Sequence, residues 1–235
     1  MAIDFESFTL VAATADLGDE PAARGTADAV ELRMDMATDP LAALADYDGD
    51  LPLVATNRPT WEGGEREESP DRLAELETAV EHEAVGAVDV ELAALQGDGS
   101  SEISAAEAAA VVDRARETDT SVIVSTHDFE RTPDRETLRA LLDAASEHGD
   151  VAKLAVTAAG TADTLTVLSV TQTATADGQT VATMAMGAAG RHTRAVAPLY
   201  GSKIGYAPVD PTEATAPGQY DLETLAELVE RLQSE

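Results

Sequence analysis

The sequence predicts an α/β fold, a (β/α)8 TIM barrel built as a single domain over residues 1–235. Three observations predict it. Eight short apolar runs rich in β-forming residues recur along the chain. Acidic and Ala-rich helix-like stretches separate them, and strand alternating with helix implies parallel βαβ units. The chain of 235 residues, with no linker or low-complexity break, suits eight such units closing on themselves. A doubly wound open sheet is the competing architecture.

The strand runs are, in order, "TLVAAT" (9–14), "AVELRMD" (29–35), "LPLVATN" (51–57), "AVDVELA" (87–93), "SVIVSTHD" (121–128), "VAKLAVTA" (151–158), "VATMAMG" (181–187) and a weaker "YGSKIGYA" (200–207). Helices are expected at 69–84, 104–117, 132–149 and 221–233. The first opens with Ser69 as N-cap and Pro70 at the first helical position, and the third ends at Gly149, a plausible C-cap.

Composition sets further bounds. Hydrophobic residues make up 44% of the chain but aromatics only 3%, so the core must be built mostly from Ala, Val and Leu. The absence of cysteine excludes disulfides and thiolate metal sites. The opening "MAIDFESFTL" carries acids where a secretory leader would be basic and apolar. No apolar run reaches the roughly 18 residues of a membrane span, so the cytoplasm is expected and a membrane partner is not. The net charge of −30 disfavours a nucleic-acid partner, which needs a basic face. Because the acids are spread along the chain, they suggest a surface adapted to concentrated salt, where a Debye length of about 3 Å screens self-repulsion. Unfolding in dilute buffer and stability in molar KCl are the expected results.

Polar residues stand where strands should be apolar. Alternation puts Glu31, Arg33 and Asp35 on one face and Val30, Leu32 and Met34 on the other. Asp89 and Glu91 oppose Val88, Val90 and Leu92 in the same way. An exposed edge strand would explain such a face, but a closed barrel has no edge. Arg58 ends the third strand, with Glu62 just beyond, and His127 ends the fifth. Arg194 follows the seventh, whose Met184 and Met186 read as core. Groups at separate strand ends converge only at a barrel mouth, which is where barrels carry their sites. His82 and His148 read as solvent-facing, and His192 has no assigned role.

Only two lysines occur, Lys153 and Lys203, against 13 arginines. Lys153 lies mid-strand among small apolar residues, on one face with Val151, Ala155 and Thr157. Burial disfavours an ammonium, and a neutral amine is a nucleophile that attacks a carbonyl to give a Schiff base. Arginine cannot do this. A buried ion pair with Glu31, Asp89 or Glu91 explains the residue about as well.

The ordered segments "ELRMD", "NRPTWEGGE", "DVEL", "STHDF", "AKLAV", "GRHTR", "YGSKIGYA" and "APGQ" resemble type I 3-dehydroquinate dehydratase. The resemblance runs over nearly the whole chain. It implies a (β/α)8 barrel, needing no metal and no cofactor, that converts 3-dehydroquinate to 3-dehydroshikimate and water. It further implies that Lys153 forms the imine, that His127 is the general acid and base, and that Glu62 orients His127. By the same carry-over Glu31, Arg33 and Arg58 contact the ring hydroxyls and Arg194 holds the carboxylate. Thr215 and Gln219 belong to a closing loop, and Met184, Met186 and Tyr206 form an apolar wall. Thr215 stands where the family usually has Ser, and Tyr206 where it commonly has Phe. The stretch between Tyr206 and Gln219 is longer than the bacterial pattern, and the N-terminal hairpin of bacterial members is expected to be reduced. The resemblance allows a homodimer, which no residue here shows. Two rival readings are a class I aldolase-like Schiff-base barrel, for which no phosphate cradle is visible, and a non-catalytic small-anion-binding barrel.

Overall fold

A computed structural model describes residues 3–100, 102–210, 212 and 215–234. One sheet of eight parallel strands carries the fold: β1 (Thr9–Thr14), β2 (Ala29–Arg33), β3 (Leu53–Thr56), β4 (Val85–Glu91), β5 (Ser121–Asp128), β6 (Val151–Thr157), β7 (Val181–Met186) and β8 (Ile204–Pro208). Sequence neighbours pair from β1 to β7, and β8 pairs with β1. Between β7 and β8 a parallel bridge joins Val181 to Ser202, and the Lys203 N–H donates to the Val181 carbonyl at 2.7 Å. The barrel is thereby nearly closed, and the open sheet is set aside. β2 has a strand on both sides, so its charged face is no solvent edge.

Around the sheet lie α1 (Glu20–Ala23), α2 (Pro40–Ala45), α3 (Pro70–Ala79), α4 (Leu92–Gln96), α5 (Ala105–Glu117), α6 (Arg135–Ser146), α7 (Thr161–Ala176), α8 (Gly187–Gly190), α9 (Thr193–Val196) and α10 (Leu222–Gln233). Side-chain caps start several of them. Ser104 and Glu107 form a capping box on α5, while Asp134 and Asp221 accept the N–H groups of Thr137 and Thr224. Ser69 occupies the cap position of α3 without a side-chain bond.

Several boundaries differ from the sequence expectation. α3 and α6 stop early, which places His82 and His148 on turns, where both are half-buried. Gly149 is no left-handed cap; a Cβ there would meet the Val122 carbonyl at 2.7 Å, so the residue serves close packing under β5. Tyr200 ends a 3-10 turn, and Gly201 at φ 103° redirects the chain before β8 begins. α7 was not anticipated. Its Thr and Val residues show no apolar stripe, yet Thr164, Val167, Val170 and Thr171 are buried against the sheet.

The core has two shells. Val30, Leu32, Val88, Val90, Val122, Val124, Leu154 and Val156 point outward to the helices. Inside, Val11, Ala29, Val54, Ala87, Ile123, Val151 and Ile204 fill the N-terminal half of the barrel. Residues 3–8 form no strand, and Ile3 and Phe5 join this inner cluster.

Candidate active site

Two residues further along the same inward-facing rows, the barrel interior turns polar. Glu31 and Arg33 follow Ala29, Thr56 and Arg58 follow Val54, and Asp89 and Glu91 follow Ala87. Ser125 and His127 follow Ile123, and Lys153 follows Val151. Glu31, Arg33, Thr56, Arg58, His127 and Lys153 line an open cleft of about 500 Å³ at the C-terminal mouth, while Asp89, Glu91 and Ser125 are fully buried behind them. All twelve candidate residues line the cleft: Lys153, His127, Glu62, Glu31, Arg33, Arg58, Arg194, Thr215, Gln219, Met184, Met186 and Tyr206. Thr56, Gly63, Phe129, Ala155 and Ala216 also line the cleft and were not singled out from the sequence. His192 is exposed outside it.

Lys153 is 5% exposed, and its Nζ lies 2.8 Å from Asp89 Oδ2. The ring of Tyr206 stands on another side, its centroid 4.3 Å from Nζ. The ion pair foreseen as an alternative therefore exists, with Asp89 as partner. Asp89 is not dedicated to the lysine, however. Its Oδ1 lies 2.8 Å from Arg58 Nη2 and accepts from Ser125 Oγ at 2.6 Å. Although burial opposes ionisation, the Arg58 and Lys153 cations hold the Asp89 carboxyl well below its usual range.

Arg58 is itself locked. Its Nη1 donates to Glu91 Oε1 at 2.7 Å and to Ser125 Oγ at 2.6 Å. Glu91 lies at 3.1 Å from Arg72 Nη1, and Arg72 is fully buried. Charges thus alternate from Arg72 through Glu91, Arg58 and Asp89 to Lys153. Such a chain satisfies each buried charge on the site floor with a neighbour of opposite sign. Arg33 makes a bidentate pair with Asp35, at 2.9 and 2.7 Å. Glu31 Oε1 accepts from Thr56 Oγ1 at 2.8 Å.

His127, on β5 between the strands that carry Asp89 and Lys153, meets Glu62. Glu62 Oε1 accepts the His127 backbone N–H at 2.8 Å and lies 3.0 Å from Nδ1. Burial drives the His127 pKa well below its ordinary value, and the Arg58 and Lys153 cations add to the effect. Burial and the carboxylates of Glu91 and Asp89 push Glu62 upward, against the pull of Arg58. The imidazole accordingly rests neutral. With Nδ1 engaged by Glu62, Nε2 is the nitrogen left to exchange a proton.

Arg194 differs from the other buried arginines. Its guanidinium meets no carboxylate among the described residues; Nη1 reaches Met184 Sδ at 3.5 Å and Nη2 the Pro217 carbonyl at 3.3 Å. Burial alone lowers its pKa to about 10, which leaves it cationic at neutral pH. A buried cation without a counter-ion is a receptor for an anion. Pro217 belongs to the loop that carries Thr215 and Gln219. Gln219 Oε1 accepts the Ala216 N–H at 3.1 Å, and its Nε2 donates to Thr215 Oγ1 at 3.2 Å. The Gly187 N–H, donating to the Pro217 carbonyl at 3.2 Å, fastens this loop over β7.

Comparison with known proteins gives the family. The sequence model of type I 3-dehydroquinase matches residues 9–235. A 3-dehydroquinate dehydratase of Haloarcula marismortui is 62% identical over 233 residues, covering 99% of this chain and 100% of its own. One from Halobacterium salinarum is 52% identical over 231 residues, covering 98% and 100%. The crystal structure of 3-dehydroquinate dehydratase from Geobacillus kaustophilus superposes with a TM-score of 0.84 at 27% identity, covering 97% of this chain and 91% of that one. The chain belongs to the type I 3-dehydroquinase family.

Proposed function

We propose that this barrel dehydrates 3-dehydroquinate to 3-dehydroshikimate through a Schiff base on Lys153, with His127 moving the protons. The observation that carries the reading is the meeting of Lys153 and the Glu62–His127 pair in one cleft, with Arg194 lining the same cleft.

The chemistry follows from what each group can do. Arg194 holds the substrate carboxylate, the anion its guanidinium lacks. Glu31, Arg33 and Arg58 present charged donors and acceptors to the ring hydroxyls. Attack requires the free amine, and the neutral imidazole of His127 is the base in the cleft able to take up the ammonium proton. The Lys153 nitrogen adds to the C3 ketone, and His127 returns the proton to the carbinolamine hydroxyl, which leaves as water to give the iminium and a neutral imidazole again. The iminium withdraws electrons, so His127 removes the C2 proton to leave an enamine. The enamine electrons return to expel the C1 hydroxyl, which takes the proton now on His127 and departs as water. Hydrolysis of the product iminium consumes the water released when it formed and frees the lysine. The balance is one water lost per substrate. Asp89 keeps the lysine aimed into the cleft and is stabilised by Arg58 and Ser125 when the lysine charge is spent.

A non-catalytic anion-binding barrel accounts for Arg194 but gives no reason to bury a neutral imidazole on Glu62. The reading includes a small-molecule substrate, no nucleic-acid or membrane partner, a cytoplasmic site of action and the homodimer that the resemblance allows. Among the described residues no helix is long and apolar enough to cross a membrane.

The test is an assay in concentrated KCl, suited to a chain of net charge −30. Protein is mixed with 3-dehydroquinate and the conjugated enone of the product followed in the ultraviolet. Enone formed by the native chain and not by Lys153→Ala is the expected result. No enone from folded protein would overturn the reading.

A further inference from the structure

Phe129 lies two residues beyond His127, and the two rings stack with centroids 5.9 Å apart and planes 14° from parallel. Phe129 is 43% exposed. It is nevertheless seated. Gly63, next to Glu62, sits at φ 79°, and a Cβ there would collide with the Phe129 ring edge. A glycine is thus needed for its left-handed backbone and for the space the ring fills. The segment that carries Glu62 and the one that carries His127 are clasped through this ring, outside the hydrogen bonds of the pair itself.

We propose that Phe129 is a positioning residue: seated in the notch at Gly63, its ring covers the outer face of the His127 imidazole and keeps that ring dry and aligned on Glu62. The inference rests on His127 being the proton carrier. It adds that the dryness of this imidazole at an open cleft is supplied by one exposed side chain. The groups facing His127 are Glu62 from the loop after β3, Arg58 at the end of β3, Asp89 from β4, Lys153 from β6 and Arg33 from β2. Burial is the largest influence on the imidazole, ahead of these charges, so water admitted on the Phe129 side acts on that largest influence.

The sign is definite. His127 serves as a base when neutral, and burial lowers its pKa; exposing it raises the pKa, so activity on the acid side is lost at a higher pH. The experiment measures kcat and KM against pH in concentrated KCl for the native chain, Phe129→Ala, Phe129→Tyr and Gly63→Ala. Phe129→Ala should move the acid limb of kcat/KM up by about one pH unit. It should also lower kcat by about tenfold while changing KM less. Phe129→Tyr keeps the stack and should restore the native profile. Gly63→Ala displaces the ring and also strains the turn beside Glu62 at φ 79°, and should reproduce the Phe129→Ala shift. Should Phe129→Ala fail to fold, Gly63→Ala and Phe129→Leu, which keeps apolar bulk without a planar face, decide the matter by the same limb. An acid limb unmoved in folded variants would overturn the inference while leaving the Schiff-base reading intact. His127→Ala with near-native turnover would instead break the reading on which it rests.

Discussion

The lower and upper halves of the barrel interior are built on the same strands and differ in almost every physical respect. Val54, Ala87, Ile123 and Val151 below are apolar and dry; Thr56, Asp89, Ser125 and Lys153 above are buried and charged or hydrogen-bonded. On each strand the change takes one step of the two-residue repeat. Burial below is favourable, at about 25 cal/mol for each Å² of apolar surface removed from water. Burial above is costly and is tolerated because every charge on the floor has an opposite neighbour. The lower half therefore holds the fold, and the upper half uses part of that stability to place an amine and an imidazole over a cleft.

Substitutions should separate the two halves, the largest effect coming first. Lys153→Ala removes the nucleophile and should cut turnover by about a thousandfold or more. Asp89 keeps Arg58 and Ser125, so the variant should melt close to the native temperature. A Lys153→Ala protein that turned over substrate normally would break the division. Arg58→Met strips Asp89 and Glu91 of a shared partner and should cost about 3–5 kcal/mol of stability as well as activity, seen by chemical denaturation in concentrated KCl. In the lower half, Ile123→Ala should cost about 2–5 kcal/mol while the KM of the folded fraction stays native. A changed KM there would mean that the halves are coupled.

Acid should act on the upper half. Asp89 has a depressed folded pKa, so its stabilisation is complete above the ordinary carboxyl value of about 3.9 and is lost as pH falls through the folded value. Asp89→Asn should flatten this part of the stability profile, which melting curves against pH will show. The smallest effect belongs to Tyr206. Its hydroxyl is buried with no hydrogen-bond partner among the described residues, so Tyr206→Phe should raise stability by about 1 kcal/mol and leave the lysine's ring contact in place. A large loss of kcat would instead give the hydroxyl a part in the reaction.

Much of this was legible in the sequence because alternation is a strict code. The pattern in "AVELRMD" separates Glu31 and Arg33 from Val30 and Leu32, and the barrel turns that separation into inside and outside. Which charges touch was not legible. Nothing in the spacing says that Arg33 turns to Asp35, or that Arg58 bridges Asp89 and Glu91, because alternation fixes a face and no distance across strands. Arg72, Gly63 and Phe129 were missed for a related reason. Arg72 meets Glu91 and Gly63 meets Phe129 across long stretches of sequence, and an exposed Phe or a fully buried Arg carries no periodic mark. α7 escaped because its Thr-rich face is buried, so polarity no longer tracks exposure.

The central claim is a covalent bond between Lys153 and the substrate. It is tested most directly by treating the native protein with borohydride in the presence of 3-dehydroquinate, in concentrated KCl, then measuring intact mass and mapping the modified peptide. A reduced adduct on Lys153, absent without substrate and absent in Lys153→Ala, is the predicted result. An unchanged mass in a sample that is folded and turning over substrate, or an adduct on Lys203, would contradict it.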